Sequence, residues 1–200
     1  MKDNTITSRS MSRSLTQDVA VCGLFTALIA VGAFIKIVIP VGADTMNFTL
    51  QWLFVMLVGL LLGSKRAFRS VAVYLITGLI GFPIFARGGG PAYLLRPTFG
   101  FLLGFALAAW VIGFLCEKLR PAKSITWFFT TRAGFVLYYG MGILDLYRIT
   151  HLLASQTPVG IGVIVGGYCL PTMLPDLMLC VLAIMIAGRL RPVVSAALRS

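Results

Sequence analysis

Short polar and basic clusters divide this chain into long apolar runs, at about residues 19–39, 48–63, 70–85, 98–116, 127–146 and 160–187. A helix needs about 20 apolar residues to cross a hydrocarbon layer of roughly 30 Å, so the pattern predicts about six transmembrane helices in an all-α integral membrane protein. The run at 48–63 is slightly short, that at 127–146 is interrupted by Arg132 and Asp145, and that at 160–187 is long enough to tilt or break near Pro171 and Pro175. Short connections leave no room for a second domain in 200 residues. Residues 1–16 are polar, rich in Ser and Thr, and read as a cytoplasmic leader. The apolar run after them continues to Pro40 without a small-residue cleavage site, which is too long for the core of a signal peptide.

Composition strengthens the membrane reading: 58% of residues are hydrophobic, 12% are charged, and the mean hydropathy is +0.95. A soluble core of this length has no means of hiding so much apolar surface. The net charge of +11 does not indicate nucleic acid, because the basic residues form no face and no aromatic stacking platform accompanies them. With the N-terminus inside, Lys2, Arg9, Arg13, Lys65, Arg66, Arg69, Lys118, Arg120, Lys123, Arg189, Arg191 and Arg199 all fall on the cytoplasmic side. The positive-inside rule therefore predicts cytoplasmic N- and C-termini. Arg87, Arg96 and Arg148 stand on the outer side, and Lys36 and Arg132 lie within spans.

The break within residues 78–104 is the most informative interruption. It carries Pro83, Gly88, Gly89, Gly90 and Pro91, flanked by Arg87 and Arg96. Three glycines permit positive φ and close approach of backbone to a ligand, and successive N–H groups are able to cradle an anion. The two arginines add charge for a carboxylate; the alternative is a flexible exposed turn.

Asp176, after Pro171 and Pro175, is a carboxylate inside an apolar run, where insertion costs about 2.5 to 3.5 kcal/mol. It calls for a ligand, or for an ion pair with Arg132 or Lys36. Thr49 and Gln51 open the second run, either lining a cavity or facing headgroups; Tyr74 and Tyr168 are ligand contacts or interface anchors. Asp145 and Arg148 have the spacing of a pair on one helical face, and Lys36 is placed to snorkel. Gly23 and Ala27 form a small-xxx-small pair that lets another helix approach. No catalytic constellation, cofactor motif or Walker A sequence is present. His151 stands alone among histidines, and Cys22, Cys116, Cys169 and Cys180 lack metal-ligand spacing. A transporter or receptor is favoured over an enzyme.

Four stretches, GLFTALIAV, NFTLQWLFVMLVGLLLGSKR, YLITGLIGFPIFARGGG with PTFGFLLGF, and LPDL, occur in an order that resembles the BioY family. These are the biotin-binding S components of energy-coupling factor (ECF) transporters. The resemblance implies a membrane-embedded binding protein of about six helices in a prokaryotic plasma membrane, its outward pocket covered by the loops after the first and third spans. It also implies a transmembrane coupling protein bound to two ATPase subunits, docked at Gly23 and Ala27, and a ligand that is biotin or a similar small acid. On this reading Asp176 contacts the polar head, Arg87, Gly88, Gly89, Gly90 and Arg96 close the pocket, and Tyr74, Thr49, Gln51 and Tyr168 line it. Two departures leave the ligand open to lipoate or a biotin precursor. Leu179 stands where the family commonly has lysine, and Arg96 precedes Pro97 where many members have Gly-Pro-Thr. A small secondary transporter or membrane enzyme is the alternative from another class.

Overall fold

The computed structural model describes residues 3–41, 44–96, 98–119, 124–153, 162 and 164–197. In chain order these form α1 (Asp3–Phe34), β1 (Lys36–Val41), β2 (Asp44–Thr49), α2 (Gln51–Leu62), α3 (Ser64–Ile80), a 3-10 turn (Pro91–Leu95), α4 (Phe99–Leu119), α5 (Ser124–Leu153), a π-helical turn (Ile164–Cys169) and α6 (Leu170–Ala197). The polar stretch expected as a leader is helical from Asp3 and continuous with α1.

The first span ends earlier than its hydropathy suggests. Helix α1 stops at Phe34, and residues 36–41 pair antiparallel with 44–49, Lys36 opposite Thr49 and Ile39 opposite Met46. The reason is local: Ile37, Val38 and Ile39 are β-branched, and Pro40 pushes its predecessor out of the helical region. The helical bundle thus carries one β-hairpin in place of a simple loop.

Among the described residues, three helical segments are long and apolar enough to cross a membrane: Leu15–Phe34, Phe99–Leu119 and Leu170–Ala196. Helix α2, with 12 residues, is only about 18 Å long at 1.5 Å per residue. It is buried on nearly every side, as an all-round apolar helix must be, and packs against α1, α3, α4 and α6.

Glycine sets the distances around it. A Cβ on Gly59 would lie 2.9 Å from Ile112 Cβ, and one on Gly104 would lie 2.9 Å from the Tyr138 carbonyl, so α2, α4 and α5 approach almost backbone to backbone. Helices α2 and α3 are joined by Gly63 alone, at φ 80°. The new helix is capped from across the bundle: Glu117 accepts hydrogen bonds from the Ser64 backbone N–H (2.8 Å) and from its hydroxyl (2.7 Å). The four cysteines are free and buried.

Candidate binding cavity

At the end of the bundle that carries the hairpin, β2, α2, the glycine loop, α4 and α5 enclose a cavity of about 50 Å³. Asn47 and Thr49 come from β2, Gln51 from the first turn of α2, and Ala86 and Arg87 from the loop. Tyr93 and Thr98 precede α4, which contributes Phe101, Leu102 and Phe105, and Tyr138 comes from α5.

The floor is aromatic. Tyr138, Trp52 and Phe105 form a cluster of near-parallel rings, with the Tyr138 centroid 4.5 Å from Trp52 and 5.1 Å from Phe105, those two 6.2 Å apart, and Phe101 edge-on to Tyr138 at 5.4 Å. Phe101 and Phe105 share a face of α4 at helical spacing, and Gly104 lets that face meet α5. The result is an apolar aromatic surface suited to packing against a compact ring system.

The polar wall is a hydrogen-bonded relay. Thr49 Oγ1 donates to Gln51 Oε1 (3.3 Å), Gln51 Nε2 donates to Tyr74 Oη (2.6 Å), and Tyr74 donates to the Ile84 carbonyl (3.2 Å). Gln51 and Tyr74 are both buried. A buried amide with a fixed partner presents its remaining groups in one orientation, which is what a selective polar contact requires.

The roof is the glycine loop, folded back on α3. The ring of Phe85 occupies the space a side chain on Gly78 would need, and lies against Tyr74 (5.3 Å) and Tyr93 (4.7 Å). Gly88 and Gly90 adopt φ of 109° and 100°, and a Cβ on Gly89 would strike the Phe82 carbonyl. The Gly88 N–H binds the Phe85 carbonyl (3.1 Å) and the Gly90 N–H binds the Gly78 carbonyl (2.8 Å), so these two donors shape the turn. Tyr93 is met by the Thr98 side chain and the Arg87 backbone; burial raises its pKa above the ordinary tyrosine value, opposed by those bonds and by Arg96 and Arg87. Lys36, at the root of the hairpin, donates to the Ala86 carbonyl at 2.6 Å and ties the two parts of the roof together.

Arg87, Thr49 and Gln51 therefore reach the cavity, while Tyr74 supports it from behind. Arg96 is exposed, its guanidinium 5.4 Å from the centroid of the Tyr93 ring. Asp176 does not line the cavity: it is buried behind the aromatic floor, its Oδ2 receiving the Tyr139 hydroxyl (2.7 Å), which also lies 3.1 Å from Thr172 Oγ1. No ion pair with Arg132 or Lys36 forms there. Among the described residues the ion pair is Arg66–Asp18 at 2.7 Å, and Asp145, expected beside Arg148, instead keeps Oδ2 buried without a hydrogen-bond partner. Tyr168 falls in the π-helical turn, and its side chain lies outside the described residues, as does Pro97. Gly23 and Ala27 are exposed on α1.

Asn47, Ala86, Tyr93, Thr98, Phe101, Phe105 and Tyr138 were not singled out by sequence reasoning. The i, i+4 aromatics of α4 carried a readable signal; Ala86, Tyr93 and Thr98 depend on how the loop folds back, Asn47 on the hairpin register and Tyr138 on the packing of α5.

A helical bundle roofed by a hairpin and a glycine loop over an aromatic cavity defines a membrane-embedded small-molecule binding protein. The same fold occurs in the S component for biotin of an ECF-type ABC transporter, with a TM-score of 0.75 at 24% identity over 96% of this chain and 95% of that one. The profile of the BioY family matches residues 2–196, and the chain belongs to that family. It is 35% identical to the probable biotin transporter BioY of Lysinibacillus sphaericus, over 94% of this chain and 93% of that protein. It is 39% identical to the biotin transporter BioY of Thermotoga maritima, over 84% of this chain and 92% of that protein.

Proposed function

We propose that this protein is the substrate-binding S component of an ECF-type transporter, and that it captures biotin from outside the cell. Its membrane is then the plasma membrane of a prokaryote, which it crosses about six times with both termini cytoplasmic. A transmembrane coupling protein and two ATPase subunits supply the energy, the coupling protein docking on the exposed Gly23 and Ala27 of α1. The observation that carries the reading is the pairing of an aromatic platform with an ordered polar wall under a two-part roof. Biotin needs both: a compact fused ring bearing a polar ureido group, and a chain ending in a carboxylate.

In this arrangement Arg87 meets the carboxylate, and Thr49, Gln51 and Asn47 meet polar groups of the ligand. Small-molecule sites begin at about 300 Å³, well above the 50 Å³ enclosed here. Binding therefore displaces roof and floor side chains. Rotation of Tyr138 joins the cavity to Asp176, whose carboxylate then accepts an N–H from the ureido ring. Gly88, Gly89 and Gly90 allow the loop to move, Arg96 contributes at its margin, and Tyr168 is proposed as a further ligand contact from the sequence alone.

Equilibrium binding of biotin to the purified protein tests the assignment; no binding at micromolar ligand removes it. Leu179 is buried one helical turn beyond Asp176 and supplies no cation there, which favours a second reading: a related acid such as lipoate or a biotin precursor. A competition panel separates the two, the tighter ligand being the substrate. Uptake by the chain alone, driven by protons or sodium, would instead require a secondary transporter.

A further inference from the structure

We propose that the groove between α3 and α4 at the basic end of the bundle is a binding site for an anionic phospholipid. Two hollows meet there. One, of about 490 Å³, is polar and lies against Ser64, Asp18 and Glu117; the other, of about 360 Å³, is walled by Phe68, Leu107 and Trp110. Lys65 and Arg69 line both.

The charges of the polar hollow are unequally committed. Arg66 is paired with Asp18 at 2.7 Å, and Glu117 is engaged by the N-terminus of α3. Lys65 and Arg69 make no ion pair among the described residues and are exposed. Three cations against two carboxylates leave the hollow one positive charge in excess, and the two cations outside the ion pair, Lys65 and Arg69, are the ones that also line the apolar hollow; that balance favours an anion.

The apolar hollow selects the rest of the molecule. Phe68, Leu107, Trp110 and Phe114 are all exposed, and Trp110 is stacked on Phe114 with centroids 5.7 Å apart. They belong to α4, one of the segments apolar enough to span a membrane, and to the neighbouring turn of α3. The outward face of such a helix meets acyl chains. Arg69 is five residues beyond the start of α3 at Ser64, about 8 Å into the helix. Its long stem can lie along the apolar wall while the guanidinium rises to headgroup level. One ligand satisfies both hollows: a phosphodiester held by Lys65 and Arg69, with an acyl chain against Phe68, Leu107 and Trp110. A free phosphate fills only the first.

The test is native mass spectrometry of the full-length protein in detergent, titrated with phosphatidylglycerol or phosphatidylcholine of identical acyl chains. We expect the wild type to prefer phosphatidylglycerol, and the Lys65→Gln/Arg69→Gln double variant to lose roughly 25-fold of that preference, about fivefold for each basic residue. An Arg148→Gln/Arg189→Gln variant of equal net charge should retain it. Phosphatidylglycerol with brominated chains should quench the wild-type tryptophan fluorescence more than that of Trp110→Phe, a readout that does not depend on folding of the double variant. Equal binding of the two lipids, an unchanged preference in the double variant, or displacement of the lipid by inorganic phosphate at equal concentration would each overturn the proposal.

Discussion

At the scale of single residues, the two arginines of the glycine loop have different fates, although their sequence context is similar. Arg87 lines the cavity, whereas Arg96 lies over Tyr93 on the outside. A charge-assisted hydrogen bond in a closed site contributes about 1.5 to 3 kcal/mol. Arg87→Ala should accordingly weaken biotin binding by about tenfold or more in calorimetric titration, and Arg96→Ala by much less. With biotin methyl ester, which lacks the charge, the penalty of Arg87→Ala should nearly vanish; an equal penalty for acid and ester would remove the carboxylate from its role. Asp176→Asn keeps shape and hydrogen-bonding capacity but removes the charge. It should cost about tenfold in affinity if the carboxylate meets the ligand as ionised acceptor, while unchanged affinity would make it a structural partner of Tyr139. The need of Asp176 for a partner was legible in the sequence because a carboxylate in an apolar run is costly anywhere. Its partner was not: nothing in the spacing of α5 and α6 says that Tyr139, and not Arg132 or Lys36, would meet it.

At the scale of elements, the helices were legible, as were the end of α2 and the start of α4, while other ends were not. An apolar run marks removal from water, into the bundle or into the hydrocarbon layer, and that does not distinguish a helix from an extended segment; the β-branched residues before Pro40 made a strand of what hydropathy extends into α1. The division between α2 and α3 depends on a contact far along the chain, since Ser64 is capped by Glu117 of α4. No local motif announces such a cap. Its loss has a specific consequence: Glu117→Ala removes two hydrogen bonds to a helix N-terminus and should cost about 2 to 3 kcal/mol of stability. A lowered melting temperature in detergent, with biotin affinity nearly unchanged, is the expected outcome. A protein of unaltered melting temperature would show that the junction at Gly63 holds without the cap.

At the scale of the whole molecule, the two segments that roof the cavity are separated along the chain by the buried α2 and by α3, yet they are joined directly. Lys36, the residue facing Thr49 across the hairpin root, donates to the Ala86 carbonyl beside Arg87. As a residue near the end of a span it read as a snorkelling lysine; its actual acceptor became visible only once the loop folded back over α3. The tether links a hairpin that contributes Asn47 and Thr49 to a loop that contributes Ala86 and Arg87, so opening the roof for a ligand breaks it or carries both parts together. Lys36→Met keeps the stem and removes the donor. Because the bond is exposed, its net contribution is about 0.5 to 1.5 kcal/mol, a factor of roughly 2 to 12. If the tether closes the roof over bound ligand, the variant should release biotin faster by that factor in a chase experiment, with the association rate little changed. If association and release quicken together and affinity stays constant, Lys36 instead sets the height of the barrier that ligand crosses in both directions, and the roof moves as a single gate.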